Sequence, residues 1–333
     1  MFGQQIDSSM LPPIISVIVC THNRERFLRS CLKSLYQQTL SQEKYEVLVV
    51  DNASTDGTKA VCEEYLSFAN FRYIFEAIPG LSQARNTGWQ NGQGRYIAFI
   101  DDDATAVPDW LEKILVSFQA SEPEPDWVGG PVNLVWEKEP PAWLTREYFN
   151  ALGWVDWGTE ARLLDPQREW LVGCNCILKR DTLEKFGGFD TRLGRKKNLL
   201  LSGEEVQLHH RIQAAGGSFY YHPEVRVNHH VAAFRVEPGY FYRRYYWGGI
   251  TDFIMAKTLH DVPSQNRVEQ PEQSQGARLT KNFFLSTGLF SSYDRAVASR
   301  IYMAYVAGWV RAAIRYRWED FFGLKGANES YGS

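Results

Sequence analysis

Three consecutive aspartates, Asp101, Asp102 and Asp103, follow the apolar run Arg95-Tyr-Ile-Ala-Phe-Ile100. A buried strand ending in carboxylates delivers several negative charges to one spot, which is tolerable only where a cation or a set of donors meets them. Oxygen ligands of this kind suit a hard divalent ion, Mn2+ or Mg2+, whose shell is usually completed by substrate phosphates. The triplet therefore points to a metal and to a phosphorylated substrate.

Two further polar groups end apolar runs in the same way: Thr21-His22-Asn23-Arg24 after residues 14–20, and Asp51-Asn52-Ala-Ser-Thr-Asp56 after residues 45–50. Both runs are rich in β-branched residues and read as strands, as do 71–75 and 95–100. Between them lie helical patterns. Phe27, Leu28, Cys31, Leu32 and Leu35 recur at spacings of three and four; residues 58–68 and 81–91 read as the next helices, and Pro108 opens another over 109–119. Strand and helix in alternation predict an α/β fold, a doubly wound sheet whose ligands bind at the carboxyl ends of the strands. There the three polar groups become neighbours.

No Gly-x-Gly-x-x-Gly follows the first strand and no Gly-x-x-x-x-Gly-Lys occurs, which disfavours a dinucleotide oxidoreductase or a P-loop enzyme. Beyond residue 125 the alternation fades, and six tryptophans fall between 127 and 170. Residues 260–277, rich in Gln, Pro, Ser and Glu, read as a flexible connector.

With 333 residues, 44% of them apolar, the chain can bury a large core and carry an extension. The first ten residues have neither a basic region nor an apolar one, so no signal peptide is expected; the five scattered cysteines suggest no disulfide framework. A cytoplasmic location fits both. Cys174 and Cys176 are a poor zinc signature and read as packing residues. The net charge is −3, yet residues 240–318 hold eleven Lys/Arg against five Asp/Glu, a basic appendage on an acidic body. Nucleic acid is not an expected partner.

The stretches Ser16-Val-Ile-Val-Cys-Thr-His-Asn-Arg24, Val47-Leu-Val-Val-Asp-Asn-Ala-Ser-Thr-Asp-Gly57, Gly80-Leu-Ser-Gln-Ala-Arg-Asn-Thr-Gly88, Tyr96-Ile-Ala-Phe-Ile-Asp-Asp-Asp103 and Gly203-Glu-Glu-Val-Gln-Leu-His-His-Arg211 together resemble the family 2 glycosyltransferases. The resemblance implies a GT-A catalytic domain over residues 13–235, a Rossmann-like doubly wound mixed sheet, with a mainly helical extension over 236–333. It implies an inverting, metal-dependent transfer of a sugar from a nucleotide-diphosphate donor, a UDP-sugar by preference, to a hydroxyl of a saccharide or lipid-linked saccharide. The alternatives are a sugar nucleotidyltransferase and a non-catalytic nucleotide-sugar or glycan-binding module.

Placed on this chain, the resemblance assigns the nucleotide base and ribose to Thr21, Asn23, Arg24 and Asp51, and sets Arg85 near the base or phosphates. Asp101 and Asp103 match the outer carboxylates of an Asp-x-Asp motif, Asp103 the better metal ligand and Asp101 also within reach of ribose, with Asp102 in support. His229 falls where relatives place a histidine near the metal or diphosphate, His230 being the alternate. Asn175 resembles a residue lining the donor-sugar pocket. The base for the acceptor hydroxyl is expected among Glu204 and Glu205, at a helix start where the dipole favours carboxylate. Relatives carry Glu-Asp there, so this chain differs by one methylene at Glu205, the preferred base.

Trp154, Trp157 and Trp170 are candidates to stack on sugar faces, while Trp127 reads as core. Residues 296–318 are apolar and aromatic, but their longest uncharged stretch, 301–310, is too short to span a bilayer. On a helix, Arg300, Arg311 and Arg315 lie within about 60° of one another. That stripe fits an anionic membrane surface, and the same helix could instead pack on its own domain or in a homodimer.

Overall fold

A computed structural model describes residues 12–258 and 293–321. The connector expected at 260–277 lies outside the described residues. Contacts divide the chain into two compact units: the first holds residues 1–135, 153–189 and 216–230, the second 136–152, 190–215 and 231–333.

In the first unit the expected alternation is present: β1 (Ile15–Thr21), α1 (Glu25–Tyr36), β2 (Tyr45–Asp51), α2 (Thr58–Glu63), β3 (Phe71–Phe75), α3 (Leu81–Asn91) and β4 (Tyr96–Asp101). Leu28, Cys31, Leu32 and Leu35 form the buried face of α1, as their spacing predicts. Helix α2 stops five residues short of the expected end. Tyr65 and Leu66 donate to carbonyls three residues back, and this tighter turn brings Phe68 against Tyr36, ring centroids 4.3 Å apart.

Next come β5 (Ala104–Ala106), α4 (Trp110–Phe118), β6 (Trp127–Gly129), β7 (Val132–Trp136), β8 (Arg162–Leu163), β9 (Asn175–Lys179), α5 (Arg180–Phe186), β10 (Phe219–Tyr221) and β11 (Val227–Val231). The large sheet runs β3-β2-β1-β4-β9-β6-β10-β8. Its first four strands are parallel, and β9 turns antiparallel to both β4 and β6. The sheet is therefore mixed, with the reversal lying beyond the three polar strand ends.

Parallel register sets those ends level: Thr21 lies opposite Asp51, and Cys20 opposite Asp101 on the other side of β1. A second sheet, β5-β11-β7, pairs Ala104 with His229 in antiparallel fashion. It carries a histidine from far along the chain back to the carboxylates at the end of β4.

The second unit is mainly helical: α6 (Glu204–Ala214), α7 (Pro238–Thr258) and α8 (Tyr293–Phe321). Helices α7 and α8 pack closely where Gly249 meets the Tyr305 carbonyl and Gly308 meets that of Tyr246, leaving no room for a β-carbon on either. Leu201, Ile250, Phe253 and Ala312 fill their apolar seam, and Trp143, Tyr148, Phe241 and Tyr245 form an aromatic cluster. No helix among the described residues is long and apolar enough to cross a membrane.

Candidate active site

The loops after β1 and β2 are laced to each other by short polar bonds. Asn23, in the left-handed region at φ 54°, accepts from the Thr55 amide on its side-chain Oδ1 at 2.7 Å and donates its own backbone amide to Ser54 Oγ at 2.9 Å. The Arg24 and Glu25 amides donate to Thr58 Oγ1 and Asp56. Asn is among the few residues that accept such a backbone cheaply. The predicted turn residues thus hold Asn23 and Arg24 in place at the strand ends.

Asp51 is 2% exposed. One oxygen accepts from the Ser54 amide at 2.9 Å, the other from the Tyr73 hydroxyl at 2.8 Å. Burial and then the Asp51 carboxylate push the Tyr73 phenol well above its usual range, so it remains a donor. Each Asp51 oxygen keeps a further acceptor position. Asn52 ties this region together, donating to the carbonyls of Glu76 and Ile78 and accepting from the Gly80 amide. Glu76 is held below the usual carboxylate range: burial acts the other way, but donors from Thr87, Ile78 and Gln83 outweigh it. Tyr73, Asn52 and Glu76 were not among the expected site residues. The alternation of 71–75 beside β2 was the available signal for Tyr73; the other two have only turn-like neighbours.

At the end of β4, three carboxylates are met by three bases. Arg85 reaches Asp101 at 3.2 Å from α3, where it is 3% exposed, and also donates to the Gly173 carbonyl at 3.3 Å. A β-carbon at Gly173 would meet the guanidinium, so a larger residue there would displace Arg85. Arg24 stands 4.0 Å from Asp102 and 3.9 Å from Asp103. His229 Nε2 lies 3.1 Å from Asp103 Oδ1, and the His230 amide donates to the Asp103 carbonyl at 2.8 Å. Strand alternation separates the two histidines: His229 is buried beside the carboxylates, whereas the His230 ring packs on Phe27 at 4.8 Å.

Asp101, Asp103 and His229 each offer a ligand atom, all within 4.8 Å of one another. Two carboxylates and an imidazole fit Mn2+, and with less preference Mg2+. Asp102 differs from its neighbours. Burial, then the Asp103 charge, pushes its carboxyl up to about 7 against the pull of Arg24 and the Thr21 hydroxyl.

Asn175, opposite Ile100 on β9, is 1% exposed and turned inward. Its carbonyl accepts from Trp110 Nε1 at 3.1 Å and its amide donates to the Val225 carbonyl at 2.8 Å. Trp127 is wholly buried against Phe219, while Trp157 and Trp170 meet edge to face at 4.7 Å with both rings half-exposed. All five cysteines are free. Burial raises the Cys20 thiol to about 12, so it takes no part as a nucleophile near neutral pH.

In the second unit, Glu204 and Glu205 open α6 behind Gly203, which takes the left-handed conformation at φ 87°. Glu204 is 4% exposed and Glu205 half-buried. Both sit in the first helical turn, where the aligned peptide dipoles favour a carboxylate.

The family model "Glycosyl transferase family 2" matches residues 16–187. The glucosyl-dolichyl phosphate glucuronosyltransferase of Haloferax volcanii is 28% identical over 245 residues, 72% of this chain and 77% of that protein. Glycosyltransferase AglE of the same organism is 30% identical over 210 residues, 62% of this chain and 63% of its own length. Among solved structures, mannosyltransferase PcManGT from Pyrobaculum calidifontis, in complex with GDP-Man and Mn2+, aligns with a TM-score of 0.57 at 21% identity, covering 96% of this chain and 82% of that one. S. aureus TarS 1-349, in complex with UDP, aligns at 0.51 and 17% identity over 91% of both chains. At such identities these two matches bear on the fold, which is that of the GT-A enzymes.

Proposed function

The chain belongs to glycosyl transferase family 2, and from that membership we propose an inverting transfer of a sugar from a nucleotide-diphosphate donor, preferably a UDP-sugar, to a hydroxyl of a saccharide or lipid-linked saccharide. It is a glycosyltransferase. The observation that carries the finer reading is the convergence of Asp101, Asp103 and His229 on one point at the strand ends. These residues would hold Mn2+ or Mg2+, which when bound neutralises charge developing on a departing diphosphate. A lipid-linked acceptor is supported by the name of the Haloferax glucuronosyltransferase, and a UDP donor by the TarS complex.

The chain's own groups have distinct tasks in this reading. Thr21, Asn23, Arg24 and Asp51 bind base and ribose, Asp51 accepting a ring N–H on its remaining lone pairs. Arg85 holds Asp101 in place and offers positive charge to the phosphates. Asn175 lines the donor-sugar pocket in this reading, its side-chain carbonyl accepting from Trp110. Glu205 takes the proton of the acceptor hydroxyl, with Glu204 as the alternative. Residues 13–235 are the catalytic domain in this functional sense, and 236–333 the extension.

Contact with an anionic membrane surface from the cytoplasmic side is part of the same proposal. Met303, Val306, Val310 and Ile314 form an exposed apolar stripe on α8, with Arg300 and Arg311, also exposed, along one edge. Such a helix binds by apolar burial plus attraction to anionic lipid. Co-sedimentation of the full chain with phosphatidylglycerol vesicles, but not with phosphatidylcholine vesicles, is the expected result; absence of binding to both would remove it.

The donor reading is tested by thermal denaturation with UDP, GDP, TDP and CMP, each with and without manganese. A ligand at about 100 times its dissociation constant adds about 2.7 kcal/mol, a shift of several degrees. Stabilisation by UDP that requires manganese supports it. No shift with any nucleotide would overturn it.

A further inference from the structure

Resting on the lipid-linked reading for the identity of its ligand, we propose that Arg195 and Arg244 form a phosphate-binding site for a phosphate-bearing, lipid-linked acceptor. Both belong to the second unit. Arg244, on α7, is 7% exposed and gives one hydrogen bond, from Nη1 to Ser202 Oγ at 3.1 Å. Its Nε, and Nη1 of Arg195 in the loop before α6, are buried without a hydrogen-bond acceptor among the described residues. A guanidinium does not shed its charge, so burial leaves it in need of an anion.

The local charge balance points the same way. Burial first, and then the positive charge of Arg244, lowers Arg195 from its ordinary value to about 10; Arg235 adds to the effect, while Tyr240 and the Glu204 carboxylate oppose it. The guanidiniums of Arg244 and Arg235 thus both act on Arg195. Nη1 of Arg195 and Nε of Arg244 stay open in the unit that also holds the Glu204 and Glu205 carboxylates. A phosphate supplies several acceptor oxygens to a planar guanidinium fork, and charge-assisted bonds of that type are the strong ones.

The unit also tells which phosphate. It holds the helix start that carries the candidate base for the acceptor hydroxyl, and it holds the exposed apolar stripe of α8. An acceptor whose phosphate joins its sugar to a lipid has chemistry matched to all three features: anion for the arginines, hydroxyl for the carboxylate, hydrocarbon for the apolar face.

Calorimetric titration of the full chain tests this with citronellyl phosphate, citronellol, inorganic phosphate, and UDP with manganese. Citronellyl phosphate is expected to bind, with citronellol and inorganic phosphate at least about tenfold weaker. Arg195→Gln and Arg244→Gln should each weaken citronellyl phosphate about tenfold or more and leave UDP–manganese binding within about twofold. Asp103→Asn should do the reverse, so that failure of the donor reading and failure of this site are told apart. Arg195→Lys, which keeps the charge and loses the fork, should fall between wild type and Arg195→Gln, and melting curves establish that each variant is folded.

Equal binding of citronellol, or unchanged affinity in both glutamine variants, would overturn the site. Inorganic phosphate binding as tightly as citronellyl phosphate would overturn its assignment to a lipid-linked acceptor. Loss of UDP–manganese affinity in the glutamine variants would instead give the arginines to the donor diphosphate and overturn the proposal.

Discussion

The end of β4 and the start of α6 carry opposite charge problems and resolve them to different degrees. At the first, Asp101, Asp102 and Asp103 are met by Arg85, Arg24 and His229, and His229 lies within 3.1 Å of Asp103. At the second, Arg195 and Arg244 keep buried N–H groups without acceptors among the described residues. One place has protein partners for its anions and room for a cation. The other has buried guanidinium N–H groups without an acceptor among the described residues. The proposed transfer from a diphosphate donor to a phosphate-bearing acceptor would use both, the first to bind metal and donor, the second to bind acceptor.

The sharpest way to break the comparison is to remove a carboxylate from the first place. Asp103→Ala deletes one of three candidate ligands together with the partner of His229. Transfer from a UDP-sugar is expected to fall by about four orders of magnitude, equivalent to about 5.5 kcal/mol, and manganese should no longer increase the UDP-induced shift in melting temperature. Removal of metal by EDTA should reproduce the loss in the wild type, with recovery on adding manganese. Turnover that survives both would take the metal out of the reading.

Glu205→Gln probes the second place without touching the first. The substitution keeps the shape while replacing one acceptor oxygen by an amide and removing the base. UDP–manganese binding should be preserved and transfer should fall by about two to four orders of magnitude. If Glu205→Gln transfers normally and Glu204→Gln does not, the base is Glu204, and Arg195 is then adjacent to the reacting group rather than to its neighbour.

The packing of the second unit offers an intermediate effect. Gly308→Val drives a side chain into the Tyr246 carbonyl on α7, where no β-carbon fits. An expected cost of about 2–4 kcal/mol, read from urea denaturation, follows from overpacking a closed seam. Because α7 seats Arg244, citronellyl phosphate binding should weaken in this variant more than UDP–manganese binding does. Equal loss of both would mean that the two places are not separable.

Much of the first place was legible in the sequence because it follows from strand ends. Apolar runs that stop at Thr21, Asp51 and Asp101 locate the crevice, and parallel register then makes neighbours of them. The period of α1 was equally clear. His229 needed more: its approach to Asp103 depends on β11 pairing with β5 across more than a hundred residues, and only the resemblance pointed there. The end of α2 was misjudged because Tyr65 and Phe68 look helical by spacing, while contact with Tyr36 and Phe71 favours a tighter turn. Arg195 carried no signal, since an arginine in sequence gives no sign of whether its partners are protein, water or ligand.

The smallest expected effect concerns a residue whose importance the sequence also hid. Asn52 is 6% exposed and spends its whole side-chain amide on the segment between β3 and α3: two donors to Glu76 and Ile78, one carbonyl to the Gly80 amide. Asn52→Ala strands those three backbone groups, at a cost of about 1–3 kcal/mol. Asp51 and Arg85 flank this segment, so its loosening should weaken UDP–manganese binding a few-fold. Citronellyl phosphate binding, which depends on the other unit, should stay within about twofold. Asn52→Asp is the sharper companion, because it keeps the acceptor for Gly80 but turns both donors into a carboxylate facing two carbonyls. It should therefore be the less stable of the two variants, and a higher melting temperature for Asn52→Asp than for Asn52→Ala would show that the Gly80 bond, not the pair to Glu76 and Ile78, holds the loop.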